Sequence, residues 1–537
     1  MKKKLFIALT AALLSFTACT DWLTETPRGQ ILLEDYFVGG TQAIRIATGV
    51  YTPLLWEMGT TYFPEWFIGD VMSDDAIKGG QTIVTDMTVV YEMKNWQATS
   101  NNGLLLDTYR ANFQGIARAN MALKYIPTIA PDDIMDERLR DRLMGEVHFL
   151  RAFYYFRLLR IFGGVPLIDF VVMSDADWVQ PRASAAEILD FVIQDLKTAE
   201  PLLWHRSEMD IADLGRVTRG AAQAMLARVY LWRAGTNPAL AQESWEAARH
   251  WSGQVIASGE YDLHADFATN FTFEGENGIE AIFCIQYTED GTSDFGGFGF
   301  SRGNFTLVLS RSRSETLTPT SGAGWGFNKP SWNLFNQFEQ GDIRRDITIL
   351  DTTPWITNAI IEVHFGNPFV NRKSGLYGPG LDTPNVGYYR LTHFSRGPLN
   401  NNQIRFADVL LMYAEANMEL GNNAPAIEAL NRVRRRVDMP EFGNYTISIN
   451  GGAPFSPDLR QAIRHERRVE LAMEGHRWFD LVRWGNVKQH MDAYAATLSE
   501  EERSHKREFR AGVHELLPLP AIEIALNPAM EQNPGFF

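Results

Sequence analysis

Apolar residues recur at helical spacing over much of the first half of this chain. Between residues 41 and 51, Ala43, Ile46, Ala47 and Val50 fall on one face, which predicts a helix. Residues 62–75 break the period, and Gly79-Gly80 and an aromatic, polar segment up to Trp96 follow. The period returns over 105–126, through Tyr109, Phe113, Ile116, Ala117, Asn120 and Leu123, and is closed by Pro127 and Pro131. Residues 139–162 predict a second helix, stopped by Gly163-Gly164 with Pro166 beyond. On it, Gly145 and Ala152 are small residues that let a neighbouring helix approach closely. Ser184 and Glu187 spell a capping box for a helix reaching about residue 200, before Pro201. Residues 218–234, rich in Ala, predict its partner. Residues 241–258, with Trp245, Ala248, Trp251 and Val255, predict the first helix of a third pair. Far downstream, 404–420 and 425–437 predict another pair, joined by a turn at Gly421-Asn422-Asn423.

Between these blocks, residues 259–402 lose the helical period. Strand-like runs at 281–287, 306–309 and 360–365 lie among many Gly, Asn, Thr and Phe. The run GTSDFGGFGFSRG is no dinucleotide fingerprint, because its Gly spacing is wrong and no strand–helix unit frames it. Antiparallel helix pairs with small residues at their contacts resemble tetratricopeptide repeats, although spacing alone leaves an irregular α bundle open.

One stretch, QAIRHERRVELAMEGHRWFDLVRWG at 461–485, is apolar almost all round and is predicted as one long helix, kinked at Gly475. Glu474, Arg477, Asp480 and Arg483 alternate in sign three apart, which predicts successive ion pairs along one face, and Arg467 and Glu470 repeat the arrangement upstream. Buried Arg and Glu must be paired, because an isolated charge out of water is too costly. A catalytic reading would use Glu474, His476 and Asp480 as acid–base groups; the plainer reading is a packed helix with satisfied charges. His465-Glu466 is no zinc motif, since Val469 stands where the second His is needed.

The N-terminus has Lys2, Lys3 and Lys4, an apolar run from Leu5 to Leu14, and then Ser-Phe-Thr-Ala-Cys. This is the pattern of a lipoprotein signal cleaved before Cys19, with an ordinary secretory signal as the alternative. The apolar run is too short to span a bilayer, and acyl chains on Cys19 would tether a soluble body. The formal net charge of −15 argues against nucleic acid and anionic membrane as partners. With Cys19 lipidated, Cys284 has no disulfide partner; in the apolar run AIFCIQY it reads as a buried, inert thiol.

The motif I-R-x-E-R-R-x-E-L-x-x-E-G-x-R-W-F-D-L-x-R-W-G closely resembles the C-terminal signature of the SusD/RagB family. The resemblance extends along the chain. It takes in the lipoprotein start, the SDD segment at 73–75, RAFYYFRLLRIFGGVPL, the run GAGWGFNKPSWNLFNQFEQGDIRRD, the FADVLLMYAEA pair and the L-P-L-P…N-P-G ending. It implies a mostly α fold: tetratricopeptide-like helix pairs forming a scaffold, with a long, irregular, loop-rich segment carrying short strands. The implied division is a signal peptide at 1–18, an N-terminal region at 19–258, the irregular segment at 259–402 and a C-terminal region at 403–537, with 259–537 together as the family's C-terminal domain.

The resemblance further implies a surface lipoprotein of the outer membrane that captures a nutrient and passes it to a SusC-like, TonB-dependent transporter. The nutrient is most often a glycan, with peptide an alternative. A protein-binding scaffold is a second reading, and a surface glycoside hydrolase a third, for which no motif speaks. No catalytic residue and no cofactor is expected, while acidic loops leave room for a structural calcium ion.

In this family ligand contacts lie in variable loops. Sugar rings lay their C–H faces on aromatic rings and offer hydroxyls to polar side chains. The ligand-binding candidates are therefore Trp66, Trp96, Tyr287 and Trp325, with Asp74 and Asn101 as polar partners; each has a loop-packing role as its alternative. Phe298, Phe300 and Phe305 are candidates for contact with the transporter.

Overall fold

The computed structural model describes residues 37–55, 64, 67–289, 303–313, 323–355, 364–374, 397–449 and 451–536. Cys19, Trp66, Phe298, Phe300 and most of the run 360–365 lie outside the described residues.

The first helices follow the apolar pattern. Helix α1 spans Gly40–Tyr51, and the short α2 (Phe67–Val71) leads into strand β1 (Ala76–Gly79) and α3 (Thr88–Lys94). Then come the long helices α4 (Gly103–Tyr125), α5 (Glu137–Phe162), α6 (Ala185–Leu202), α7 (Arg219–Thr236) and α8 (Ala241–Ala257). Their starts are fixed by side-chain caps. Asn102 Oδ1 accepts from Leu104 N, Asp136 Oδ1 from Leu139 N, and Thr218 Oγ1 from Ala221 N. Ser184 and Glu187 form the expected capping box. Each such cap contributes about 1 kcal/mol. Helix α6 runs past its expected end, with Pro201 inside its last turn.

These helices pack in chain order, α4 on α5, α5 on α6, α6 on α7 and α7 on α8, with α1 against α4 and α5. Gly145 is one reason they can: a Cβ there would lie 3.0 Å from Leu202 Cβ at the end of α6.

The segment after α8 holds strand β2 (Ala281–Ile285), helix α9 (Thr306–Ser310), strand β3 (Phe327–Pro330), helices α10 (Trp332–Phe335) and α11 (Arg344–Thr348), and strands β4 (Ile349–Asp351), β5 (Phe369–Asn371) and β6 (Asn401–Arg405). The strands form three two-stranded antiparallel sheets, β1 with β3, β2 with β6, and β4 with β5. Residues 306–309, expected as a strand, are helical. A run this short and buried all round carries no period to tell the two apart, and Asn304 Oδ1 starts the turn by accepting from Thr306 N at 2.9 Å. Phe305 is fully buried in the main core, so it cannot meet a transporter.

Helices α12 (Phe406–Glu419), α13 (Asn423–Arg435), α14 (Leu459–Glu470), α15 (Arg477–Arg483), α16 (Val487–Thr497), α17 (Glu500–Ser504) and α18 (Ala521–Leu526) complete the chain. Ile404 and Arg405, expected in a helix, close β6, whose pairing with β2 holds them extended. Helix α12 packs directly on α8, so the row of helix pairs resumes after the irregular segment. The main core runs from Ala43 to Met530 without regard to the sequence divisions, and Phe283 of β2 sits edge-on to Phe149 and Phe153 of α5.

Candidate functional site

Among the described residues, the charged signature is a well-defined polar constellation. It is two helices rather than one. Met473 and Gly475 take left-handed φ of 63° and 79°, and this turn separates α14 from α15. The backbone of α2 lies against the turn: Asp70 Oδ1 accepts from Gly475 N at 2.8 Å, and a Cβ on Gly69 would lie 1.9 Å from Gly475 O. Contact this close requires glycine at 69, and the turn requires a residue that tolerates positive φ at 475.

Because the helix breaks, the charges pair mostly with distant elements instead of along one face. Arg405, closing β6, reaches Glu280 at 2.6 Å, Glu470 at 3.1 Å and Glu474 at 2.7 Å. Arg436 bridges Glu280 and Glu470, Arg344 joins Glu470 to Asp342 and Glu466, and Lys373 holds Glu474. A second cluster links Arg467 to Asp408 and Asp480, and Arg483 to Asp480 and Glu415. Only Asp480–Arg483 keeps the expected three-residue spacing within the helix. Burial opposes ionisation of Glu470, but Arg436, Arg405 and Arg344 outweigh it and hold the carboxyl below its ordinary range.

Glu474 and Asp480 are thus fully engaged in pairs, and burial, with Arg228 nearby, pushes His476 down to about 4. The cavity beside His476 and Asp480 measures about 30 Å³, room for about one water. The arrangement clamps β6, α11, α13, α14 and α15 together. It holds no open acid–base pair.

Asp74 belongs to this framework too. It is fully buried, 2.8 Å from Arg477 and 3.0 Å from Arg468, with Asp75 sharing Arg468. Its expected role as a polar ligand partner is therefore corrected: both of its oxygens are committed inside the core. Among the described residues, no group of three or more His, Cys, Asp and Glu is placed to hold a metal ion.

The remaining candidates fall in three places. Tyr287 and Trp325 come to one neighbourhood. Tyr287 N donates to Asn400 Oδ1 at 2.7 Å, Asn304 Nδ2 donates to Leu399 O at 2.6 Å, and Phe305 packs edge-on against the half-buried Trp325 at 5.3 Å. Tyr287 itself is buried, so Trp325 is the ring that reaches the surface there. Polar groups cluster beside them: Asn277 and Gln286 exchange hydrogen bonds, Asn400 Nδ2 donates to Gln286 Oε1, and Asn400 N donates to Glu276. Burial raises Glu276 to about 7. Cys284 lies beneath this cluster with its thiol on Asn402 Oδ1, and burial pushes it up to about 12, so it is a poor nucleophile.

Asn101 is exposed in the turn before α4. Trp96, in a left-handed conformation with φ 58°, is buried between Trp478, Phe509 and His514, so its packing role is the larger one. One side of it lines a hollow of about 210 Å³ shared with Tyr494, Phe509, Arg503, Lys506 and Arg507. None of these residues of the C-terminal segment was singled out from the sequence. The charge run SHKRE was the available signal, and a charge run ordinarily marks a solvated face. The exposed Trp332, edge-on to Phe335 and Phe369, was missed as well.

Comparison with known proteins bears on these features. Residues 392–536, which contain α13, α14 and α15, match the model of the SusD family, and residues 68–231 match a family described as starch-binding and associating with the outer membrane. SusD-like protein P2 of Formosa agariphila is 27% identical over 99% of this chain and all of its own length. A solved laminarin binding SusD-like protein is 26% identical, with a TM-score of 0.75, over 93% of this chain and all of its own. Surface glycan-binding protein A from Bacteroides thetaiotaomicron, solved with laminarihexaose, shares the fold at a TM-score of 0.75 and 21% identity, over 92% of this chain and 99% of its own. With residues 68–231 and 392–536 matching SusD-like models and SusD-like proteins matching along nearly the full length, the chain belongs to the SusD/RagB family.

Proposed function

We propose that this protein is a lipid-anchored capture protein of the cell surface that binds a glycan and delivers it to a TonB-dependent transporter in the same outer membrane. The observation that carries the reading is the likeness, over nearly the whole chain, to a laminarin binding protein of the same fold. The half-buried Trp325 and the carboxamides of Asn277, Gln286 and Asn400 supply the two chemistries a sugar needs, an aromatic face and fixed polar partners. Asn101 and Trp66 are further polar and aromatic candidates. Acylation of Cys19 would supply the tether.

The test is calorimetric titration of the protein against laminarin, starch, other neutral polysaccharides and peptides, with products assayed in the same samples. Binding of one glycan without turnover, weakened by Trp325→Ala, supports capture. Shortened products would overturn it in favour of an enzyme, and binding of peptides alone would replace glycan by peptide. Labelled fatty acid retained by the wild type and absent from Cys19→Ser checks the anchor.

A further inference from the structure

Lys78 is buried in β1, with 3% of its surface exposed, and its ammonium organises the loop that follows. An ammonium has three N–H donors. These meet three backbone carbonyls of one short segment: Gly79 O at 3.1 Å, Thr82 O at 3.0 Å and Asp86 O. The ammonium also stands 5.0 Å from the centroid of the Phe327 ring on β3. Within the loop, Asp86 Oδ2 accepts from Gln81 N at 2.6 Å, and Thr82 Oγ1 accepts from Asp86 N at 3.0 Å. Gln81, Thr82, Val84 and Thr85 are exposed, so packing adds little and these polar bonds set the shape of the loop. Lys78 is its clasp.

The clasped loop is joined to the chain beside Trp325. Gly79 pairs with Phe327 in the β1–β3 ladder, and Gly80 N donates to Gly326 O at 2.8 Å. This crossing needs glycine: Gly80 has a φ of 86°, and a Cβ on it would lie 2.4 Å from the Phe327 ring. Gly80 O in turn accepts from His364 Nε2 at 2.6 Å. Gln81 follows Gly80 in the chain and Trp325 precedes Gly326. An exposed carboxamide and a half-buried indole therefore flank one backbone hydrogen bond.

We propose that loop 80–86, closed by the Lys78 ammonium, is one wall of the glycan-binding surface at Trp325, with Lys78 as its positioning residue and Gln81 as a contact to sugar hydroxyls. A carboxamide both donates and accepts, as a hydroxyl-rich ligand needs, and the Thr82 and Thr85 hydroxyls, 2.7 Å apart, extend the polar edge. A loop shaped before the ligand arrives has less ordering left to do on binding. Without the ammonium, three carbonyls lose their donor and the loop loses the bonds that gather its two ends. This wall presupposes glycan capture at Trp325.

The experiment follows amide hydrogen exchange of residues 80–86, and affinity for laminarin or, if only starch binds, for starch, in the full chain. Without ligand, Lys78→Met should speed exchange across the loop at least about tenfold while α4 to α8 exchange as before. Unaltered loop exchange overturns the clasp. In the wild type the bound polysaccharide should slow exchange at 80–86. Lys78→Met should weaken binding about tenfold, and Gln81→Ala about threefold with an unchanged melting temperature. The double variant Lys78→Met, Trp325→Ala should lose less than the sum of the two single losses, because both changes act on one surface. A lysine with a merely structural role would leave affinity alone. Strict additivity, or affinity untouched by both Lys78→Met and Gln81→Ala, overturns the wall. Should Lys78→Met fail to fold, Gln81→Ala and the protection of the loop by ligand decide the wall by themselves. If neither polysaccharide binds the wild type, or Trp325→Ala leaves binding intact, capture at Trp325 fails and the wall falls with it, while exchange without ligand still decides the clasp.

Discussion

The charges at the α14–α15 turn and the charges around Tyr494 are both buried, and they are answered in opposite ways. At the turn Glu470, Glu474 and Asp480 each meet a guanidinium or ammonium, while Asp70 is held by the Gly475 and Asn328 N–H groups. Glu470 alone touches Arg405, Arg436 and Arg344. Around Tyr494, Lys94 and Lys506 lie close to each other with Glu502, Asp74 and Asp75 as the charges opposing that of Lys94, and the Tyr494 hydroxyl has no hydrogen-bond partner among the described residues. Satisfied charge fixes strands and helices from five parts of the chain in one arrangement, and costs dearly to break. A buried charge with fewer opposing groups costs folding free energy, and burial accordingly lowers both lysines from their usual range.

The largest effect should come from breaking the clamp. Arg405→Met leaves Glu280, Glu470 and Glu474 facing each other with less compensation, and should cost about 3–5 kcal/mol. Urea unfolding measures it; a loss under about 1 kcal/mol would mean the pairs are solvated and the contrast with the charges around Tyr494 is false.

Next is the backbone contact beneath the clamp. Gly69→Ala pushes a methyl into Gly475 O and should cost about 1–3 kcal/mol, seen as a lower melting temperature. An unchanged melting temperature would mean that α2 and the turn are not in tight contact.

Acidity separates the two kinds of carboxyl. Asp74 and Glu470 are buried, which by itself opposes ionisation, but their arginines hold them below the ordinary range. Their stabilisation is therefore present above about pH 4 and is lost as pH falls below it. Glu276 and Asp70 are raised to about 7 by burial, so the folded state binds more protons than the unfolded state between about pH 4 and 7, and stability declines as pH rises through that window. Glu276→Gln should flatten part of this decline. Denaturation midpoints from pH 4 to 8 read it, and an unaltered slope would show that Glu276 titrates normally.

The smallest effect concerns reactivity. The Cys284 thiol, raised to about 12 and bonded to Asn402, should stay unreactive toward a thiol reagent in the folded protein and react once it is unfolded. Rapid reaction in the folded state would open the region beneath the Asn400 cluster.

Much of the scaffold was legible in the chain. Helical spacing placed α1 and α4 to α8 within a few residues, because each buries one face against a neighbour next to it in sequence. Ser184 with Glu187 announced its own cap. The need for buried Arg and Glu to be paired was also legible, but the partners were not. Arg477 meets Asp74, some 400 residues away in the chain, and no spacing rule reaches that far. The same blindness made Asp74 look like a loop acid. Gly475 read as a kink in one helix because its left-handed φ depends on α2 lying against the turn.

By itself the sequence determined the helix pairs, their caps, the family-like signature and the obligation of its charges to find partners, since these follow from local periodicity and from the cost of burying charge. The tertiary structure decided which charges met, that Trp96 is packed while Trp325 reaches the surface, and that Lys94 is buried against Ser73 and the Tyr494 ring. Those outcomes depend on contacts between segments far apart in the chain, where volume and partner geometry, not pattern, settle what is left exposed.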